Sequence, residues 1–259
     1  MERNEKDIRQ IYTRSEWRAS KKGNNNSYSK VDIRRFLSEK LPPPRSGNRS
    51  IEEEKNREAK RTVEEHWNLN TDFLDKLSNI EYYPIFYFRM FSCLDIERVR
   101  VVIMGQSPYP NVEHACGIAF QVPDDATVCP PSLVNLFKEL ENDIGVPKLR
   151  MRDCIRSWIE QGVFLTNCSL TAGLSDAEYL NDHIIFWENF TISFVKTVSM
   201  LNIPIVFLGE KAWKYEKHCT HSKRLKLYHP ASRDDQFVNS KMFSKINSML
   251  EYPINWLAF

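Results

Sequence analysis

The chain has 259 residues, 42% hydrophobic and 27% charged, enough for one sizeable core or for one domain with an appendage. Its formal net charge is +2, and no apolar run reaches the roughly 18 to 20 residues that span a bilayer, so we expect a soluble, intracellular protein. The six cysteines form no C-x-x-C pair and are scattered through apolar segments, which speaks against a zinc ribbon or an iron–sulfur cluster and for reduced core residues.

Charge is unevenly spread. Residues 1–60 carry 16 Lys and Arg against 10 Asp and Glu, leaving the rest of the chain at about −4. This stretch mixes charge with turn-forming tracts, KKGNNNSYSK at 21–30 and LPPPRSGNRS at 41–50, and lacks sustained apolar periodicity. It reads as a basic, largely disordered or loosely packed arm over 1–60, followed by a domain over 61–259. Within the arm, Ile33, Phe36 and Leu37 share one face of a short helix over 31–40. The pattern turns helical from Glu52, and apolar content rises through YYPIFYFRMF at 82–91.

Beyond residue 98, short apolar runs alternate with amphipathic segments. VRVVIM (99–104), GIAFQV (117–122), GVFLTN (162–167), IPIVFLG (203–209) and LKLYH (225–229) read as strands. Helices are expected over 131–144, 153–161, 182–201, 211–218 and 240–250. Near-continuous apolar strands separated by helices indicate an α/β fold whose parallel sheet is covered on both faces. Such sheets bind ligands beyond the carboxyl ends of their strands, so the segments after each strand are the place to look for chemistry.

The first strand runs into Gly105-Gln106-Ser107-Pro108-Tyr109-Pro110, a turn made rigid by two prolines that suits a pocket wall as well as a plain connection. Phe120 suits a core position or an aromatic plane for a ligand. Asn167 suits a helix cap or a base-reading amide, and His229 in His229-Pro230-Ala231-Ser232-Arg233 suits a satisfied polar residue or a proton donor. Brought to one crevice, an aromatic plane, an amide, a histidine and a rigid backbone make a nucleobase receptor. Six cations between Lys211 and Lys226, opposed by Glu216 alone, suit a solvated face or a phosphate contact. There is no G-x-G-x-x-G or phosphate loop to suggest a nucleotide-binding enzyme.

Taken in order, GQSPYP at 105–110, GIAF at 117–120, PPSLVN at 130–135, FLTN at 164–167 and HPAS at 229–232 resemble the five motifs of the family 1 uracil-DNA glycosylases. The likeness covers about residues 80–259. Proline at the end of the first loop, arginine after HPAS and PINW at 253–256 are most similar to the enzymes of poxviruses and other large DNA viruses. The resemblance implies a three-layer α/β fold with a short central parallel four-stranded sheet flanked by helices. It also implies hydrolysis of the N-glycosidic bond of a flipped-out deoxyuridine, using water and no metal or organic cofactor.

The same resemblance implies a role for each residue. Phe120 would stack on uracil, Asn167 would pair with its polar edge, Tyr109 would exclude the methyl of thymine, and Gln106 would supply backbone donors. Neutral His229 would donate to the developing uracil oxyanion, with Ser107 holding the attacking water. Ser132, Gly209 and Ser232 match positions that compress the DNA backbone, with Pro108, Pro131 and Ala231 beside them in DNA-facing loops. Arg233 stands where cellular members insert leucine into the base stack. The implied partner is uracil-containing DNA, single- or double-stranded, in a host nucleus or at a cytoplasmic viral replication site.

Ser107 departs from the family, which has aspartate there. Serine can bind water but brings no negative charge, and losing one such electrostatic group costs about 10² to 10³ in rate, roughly 3 to 4 kcal/mol. Glu113 is the carboxylate that a folded-back loop would bring in, and Glu210 places an acid next to a phosphate-binding position. A second expectation follows, a catalytically weak DNA-binding protein serving as a viral polymerase accessory factor.

Overall fold

Four of the apolar runs form one sheet in the computed structural model, which describes residues 49–79, 81–147, 149–174, 177–232 and 236–257. The strands are β1 (Val101–Gly105), β2 (Val163–Asn167), β3 (Ile205–Leu208) and β4 (Arg224–Leu227), in the order β2-β1-β3-β4 and all parallel. Every residue of β1 and β3 is buried, which is why both read as unbroken apolar runs. At the sheet edge, β4 is only half-covered and alternates Leu225 and Leu227 with Arg224 and Lys226.

The helices are α1 (Arg49–Glu65), α2 (Arg89–Cys93), α3 (Pro131–Asp143), α4 (Met151–Glu160), α5 (Ala177–Met200), α6 (Glu210–Trp213) and α7 (Met242–Met249). Pro131 opens α3 at a position where its missing N–H costs nothing. From there Leu133, Leu136, Phe137 and Leu140 recur at helical spacing and are all buried. Helix α1 runs across position 60/61, where composition sets off the N-terminal arm, and buries Asn56, Ala59 and Val63; Asn56 accepts the N–H of Phe88 at 3.1 Å.

Two aromatic clusters fill the interior. Trp67 packs on Phe91, Phe164 and Phe194, and this group continues through Phe88, Trp187 and Phe190. A second group joins Phe137, Trp158, Phe243 and Trp256, with the Trp158 indole donating to the carbonyl of Trp256 at 2.8 Å. The tryptophan of PINW therefore closes the core.

Three expectations need correction. Residues 117–122 form no strand: Gly117 and Phe120 have φ of +82° and +63°, which no extended strand accommodates. A side chain at 117 would collide with the Phe86 carbonyl, so this segment packs as an irregular buried run that resembles a strand only in composition. The single helix expected over 211–218 is instead α6 followed by a separate 3₁₀ turn, Glu216–His218. Of the cysteines, all free, Cys116, Cys154, Cys168 and Cys219 are buried, whereas Cys93 is exposed and Cys129 half-buried. The helix expected over 31–40 lies outside the described residues. Among the described residues, no helix is long and apolar enough to cross a membrane.

Candidate active site

The carboxyl ends of β1 and β2 are in register, with Gly105 opposite Asn167. The first residues past β2 stay with the loop that follows β1: Cys168 N–H donates to Gly105 O at 3.0 Å and Ser169 N–H to Gln106 O at 3.1 Å. A Cβ on residue 105 would stand 2.6 Å from Asn167 Oδ1 and 3.1 Å from Phe120 Cζ. Glycine is thus what lets the asparagine amide and the phenyl ring meet over the backbone.

A single long-range donor, shared between two carbonyls, holds the Gln106–Pro110 loop. The Tyr83 hydroxyl points at the carbonyls of Tyr109 (3.0 Å) and Pro110 (3.2 Å), and the Tyr83 backbone pairs with Ala172 just beyond β2. Burial pushes the Tyr83 phenol up to about 12, so it remains a donor at any ordinary pH. Tyr109 is half-buried, and desolvation drives its phenol far above the ordinary range, partly offset by Ser132. Its hydroxyl lies beside Ser132 without an ordinary hydrogen-bond geometry. Gln106, Ser107 and Pro108 are half-buried in the same loop.

On the other side of the crevice, β4 leads to His229. Gly209, at φ +87° after β3, allows the close approach: a Cβ there would come within 2.9 Å of His229 Cβ. The His229 ring lies 6.3 Å from the Phe120 ring, tilted by 35°. Its Nδ1 accepts the Ala231 N–H at 3.1 Å, which leaves the proton of the neutral ring on Nε2. Burial lowers its pKa to about 4, so at pH 7 the ring is neutral.

The structure therefore brings Gly105, Phe120, Asn167 and His229 together where three parallel strands end. Ser132 is buried and Pro131 exposed at the start of α3, and Ala231 and Ser232 follow His229 in a turn closed by Ser232 N–H to His229 O at 2.8 Å. Arg233 lies outside the described residues. Glu113 is exposed on the 3₁₀ turn Val112–His114, and Glu210 begins α6, also exposed.

Sequence reasoning missed the supports. Tyr83 is one, and Asn135 is another: its side-chain amide donates to Pro230 O at 2.7 Å and steadies the loop after His229. Asn135 was visible within PPSLVN, but nothing local marks Tyr83. Two cavities of about 430 and 360 Å³ lie elsewhere, beside Lys55 and Arg89 and beside Glu188 and Trp213, and none of the crevice residues lines them. Among the described residues, no group of three or more His, Cys, Asp or Glu is placed to hold a metal. In the basic cluster, Arg224 pairs with Glu216 at 2.5 Å, and Lys226 lies over the Trp213 ring at 5.6 Å.

A family model described as the uracil DNA glycosylase superfamily matches residues 91–251. A uracil-DNA glycosylase of Streptococcus gordonii is 39% identical over 182 residues, covering 66% of this chain and 81% of its own. One of Campylobacter hominis is 37% identical over 193 residues, covering 70% and 80%. Among solved structures, mimivirus uracil-DNA glycosylase superposes with a TM-score of 0.62 at 23% identity, covering 81% of this chain and 89% of that one. A UNG of Nitratifractor salsuginis does so with 0.57 at 22%, covering 76% and 97%. At such identities these structures speak for the fold, the three-layer α/β arrangement with a four-stranded parallel sheet. The likeness to poxviruses and other large DNA viruses read from the loops and PINW finds no support for poxviruses: the curated relatives named here are bacterial, and the mimivirus structure matches at an identity that speaks for the fold alone. The chain belongs to the uracil-DNA glycosylase superfamily.

Proposed function

We propose that the protein hydrolyses the N-glycosidic bond of deoxyuridine in DNA: the C1′–N1 bond breaks, water gives hydroxide to C1′ and a proton to the base, and uracil leaves. The observation that carries this reading is the convergence of Phe120, Asn167 and the neutral ring of His229 on the glycine end of β1. Phe120 stacks on the extruded base, Asn167 reads its amide edge with one donor and one acceptor, and Tyr109 walls off a 5-methyl group. As the bond lengthens, negative charge grows on uracil, and His229 Nε2–H with the backbone of Gln106 stabilises it.

Ser107 orients the water without adding charge, so the rate lies below that of a carboxylate-bearing site. Pro108, Pro131, Ser132, Gly209, Ala231 and Ser232 face the DNA backbone, and Arg233 fills the gap left in the stack. The partner is uracil-containing DNA. The alternative, a polymerase accessory factor of a large DNA virus acting in a nucleus or at a viral replication site, draws on Ser107 and on the poxvirus likeness, whereas the relatives named above carry the glycosylase name.

Uracil release from a single-stranded oligonucleotide, compared among the natural chain, Ser107→Asp and His229→Ala, tests the reading. Release well above the His229→Ala level, and a gain of at least about tenfold for Ser107→Asp, is expected. Binding to DNA with no release above the His229→Ala level would sink it.

A further inference from the structure

Helix α3 presents Asn135, Glu139, Asn142 and Asp143 on one face, and all four reach a stretch about 100 residues later in the chain. Asn135 holds the Pro230 carbonyl at 2.7 Å. Glu139 accepts from the Asn239 N–H, from Ser240 Oγ at 3.2 Å and from the Met242 N–H at 3.2 Å. Asn142 donates to Asn239 Oδ1 at 3.3 Å, and Asp143 accepts the N–H and hydroxyl of Ser244 at 2.8 and 2.7 Å.

Two features set Glu139 apart. Its side chain is fully buried (0% exposed), a costly location for a carboxylate, and the three donors that meet it are neutral. The stretch it clasps contains two non-glycine residues at left-handed φ, Asn239 (+73°) and Lys241 (+58°). Such conformations persist only where their surroundings enforce them.

We propose that Glu139 is a positioning residue: it pins 239–242 to the same helix from which Asn135 pins Pro230 beside His229, and by keeping that helix seated under both it governs how well the protein acts on duplex DNA. This rests on the glycosylase reading above. Extracting a base from a duplex costs stacking and pairing energy that contacts from the 229–232 loop must offset, whereas a single strand has no partner to lose. Loosening the loop therefore penalises the duplex selectively. Glu139 touches no substrate in this scheme.

Glu139→Gln keeps the shape but turns an oxygen into a donor facing donors. Segment-resolved hydrogen exchange should rise at least about tenfold over 229–232 and 236–244, with the β1 and β2 amides unchanged. In kinetics, KM for duplex should rise about tenfold while release from a single strand stays within about twofold. Should Glu139→Gln not fold, Asn142→Ala loosens the same stretch and should shift both readouts in the same direction by less.

Exchange like that of the natural chain over 229–232 and 236–244, exchange raised equally throughout, or equal losses on both substrates would overturn the proposal. Absence of uracil release by the natural chain would instead defeat the glycosylase reading. In that event exchange, and affinity for duplex against single-stranded DNA, still decide the role of Glu139.

Discussion

The side-chain oxygen of Asn167 lies over Gly105 so closely that no side chain fits between them: a Cβ at 105 would stand 2.6 Å from Oδ1. The two residues are register partners at the ends of adjacent parallel strands, so neither can withdraw without disturbing the sheet. The asparagine can rotate away, but then its amide no longer faces the crevice. Gly105→Ala should therefore cost about 1 to 3 kcal/mol of stability, while the catalytic loss is disproportionate, about 100-fold in kcat/KM. Thermal melts beside uracil-release kinetics check this. A variant that melts normally and retains full activity would show that the amide is not used.

His229 makes a pH prediction whose sign follows from its lowered pKa. The unfolded ring titrates near 6.5 and the folded one near 4, so between those values the unfolded chain binds more protons and stability falls as pH falls. Above 6.5 the residue contributes no pH dependence. The penalty is about 3 kcal/mol at pH 4 and levels off below it. Melting temperatures of the natural chain and His229→Ala, compared from pH 7.5 to 4, should diverge only in that window, with the natural chain losing more. The kcat/KM profile of the natural chain should stay level from pH 7 to about 5 as far as this ring is concerned, because the neutral donor persists.

Tyr83 lies far from the crevice residues in sequence, yet its hydroxyl points at two carbonyls of the Gln106–Pro110 loop. Tyr83→Phe removes that anchor and leaves two acceptors without it. We expect a loss of about 1 to 2 kcal/mol in stability and a several-fold fall in kcat/KM. Chemical denaturation and steady-state kinetics read the two effects separately. Unchanged kinetics would mean the prolines alone keep the loop rigid.

Trp158 is fully buried, stacked on Phe137 with 14° between the rings and bonded to the carbonyl of Trp256. Trp158→Ala should cost about 3 to 5 kcal/mol through the cavity and the orphaned acceptor. Truncation before Pro253 removes Trp256 from the same cluster and should lower the melting temperature markedly. Denaturant midpoints measure both, and near-native stability in the truncated chain would contradict the role given to PINW.

How far local patterns reach shows in particular elements. Strands β1 and β3 were legible because burial on both faces leaves an unbroken apolar run, β2 because Val163-Phe164-Leu165 begins one, and α3 because Pro131 and the Leu133-Leu136-Phe137-Leu140 spacing mark both its start and its inner face. The GIAFQV segment carries the same composition and is no strand. What distinguishes it is the press of the Phe86 carbonyl on Gly117 and the left-handed backbone of Phe120, both products of packing between distant parts of the chain.

The sequence by itself determined the family, through five motifs in order, and with it the α/β sheet and the residues to examine, because motif order and apolar runs are properties of the chain alone. Only the tertiary structure decided that Phe120 leaves the sheet, that burial keeps His229 neutral with its proton on Nε2, and that Tyr83, Asn135 and Glu139 hold the loops. Those facts depend on desolvation and on contacts between residues as many as about 100 positions apart, which exist only once the chain has folded.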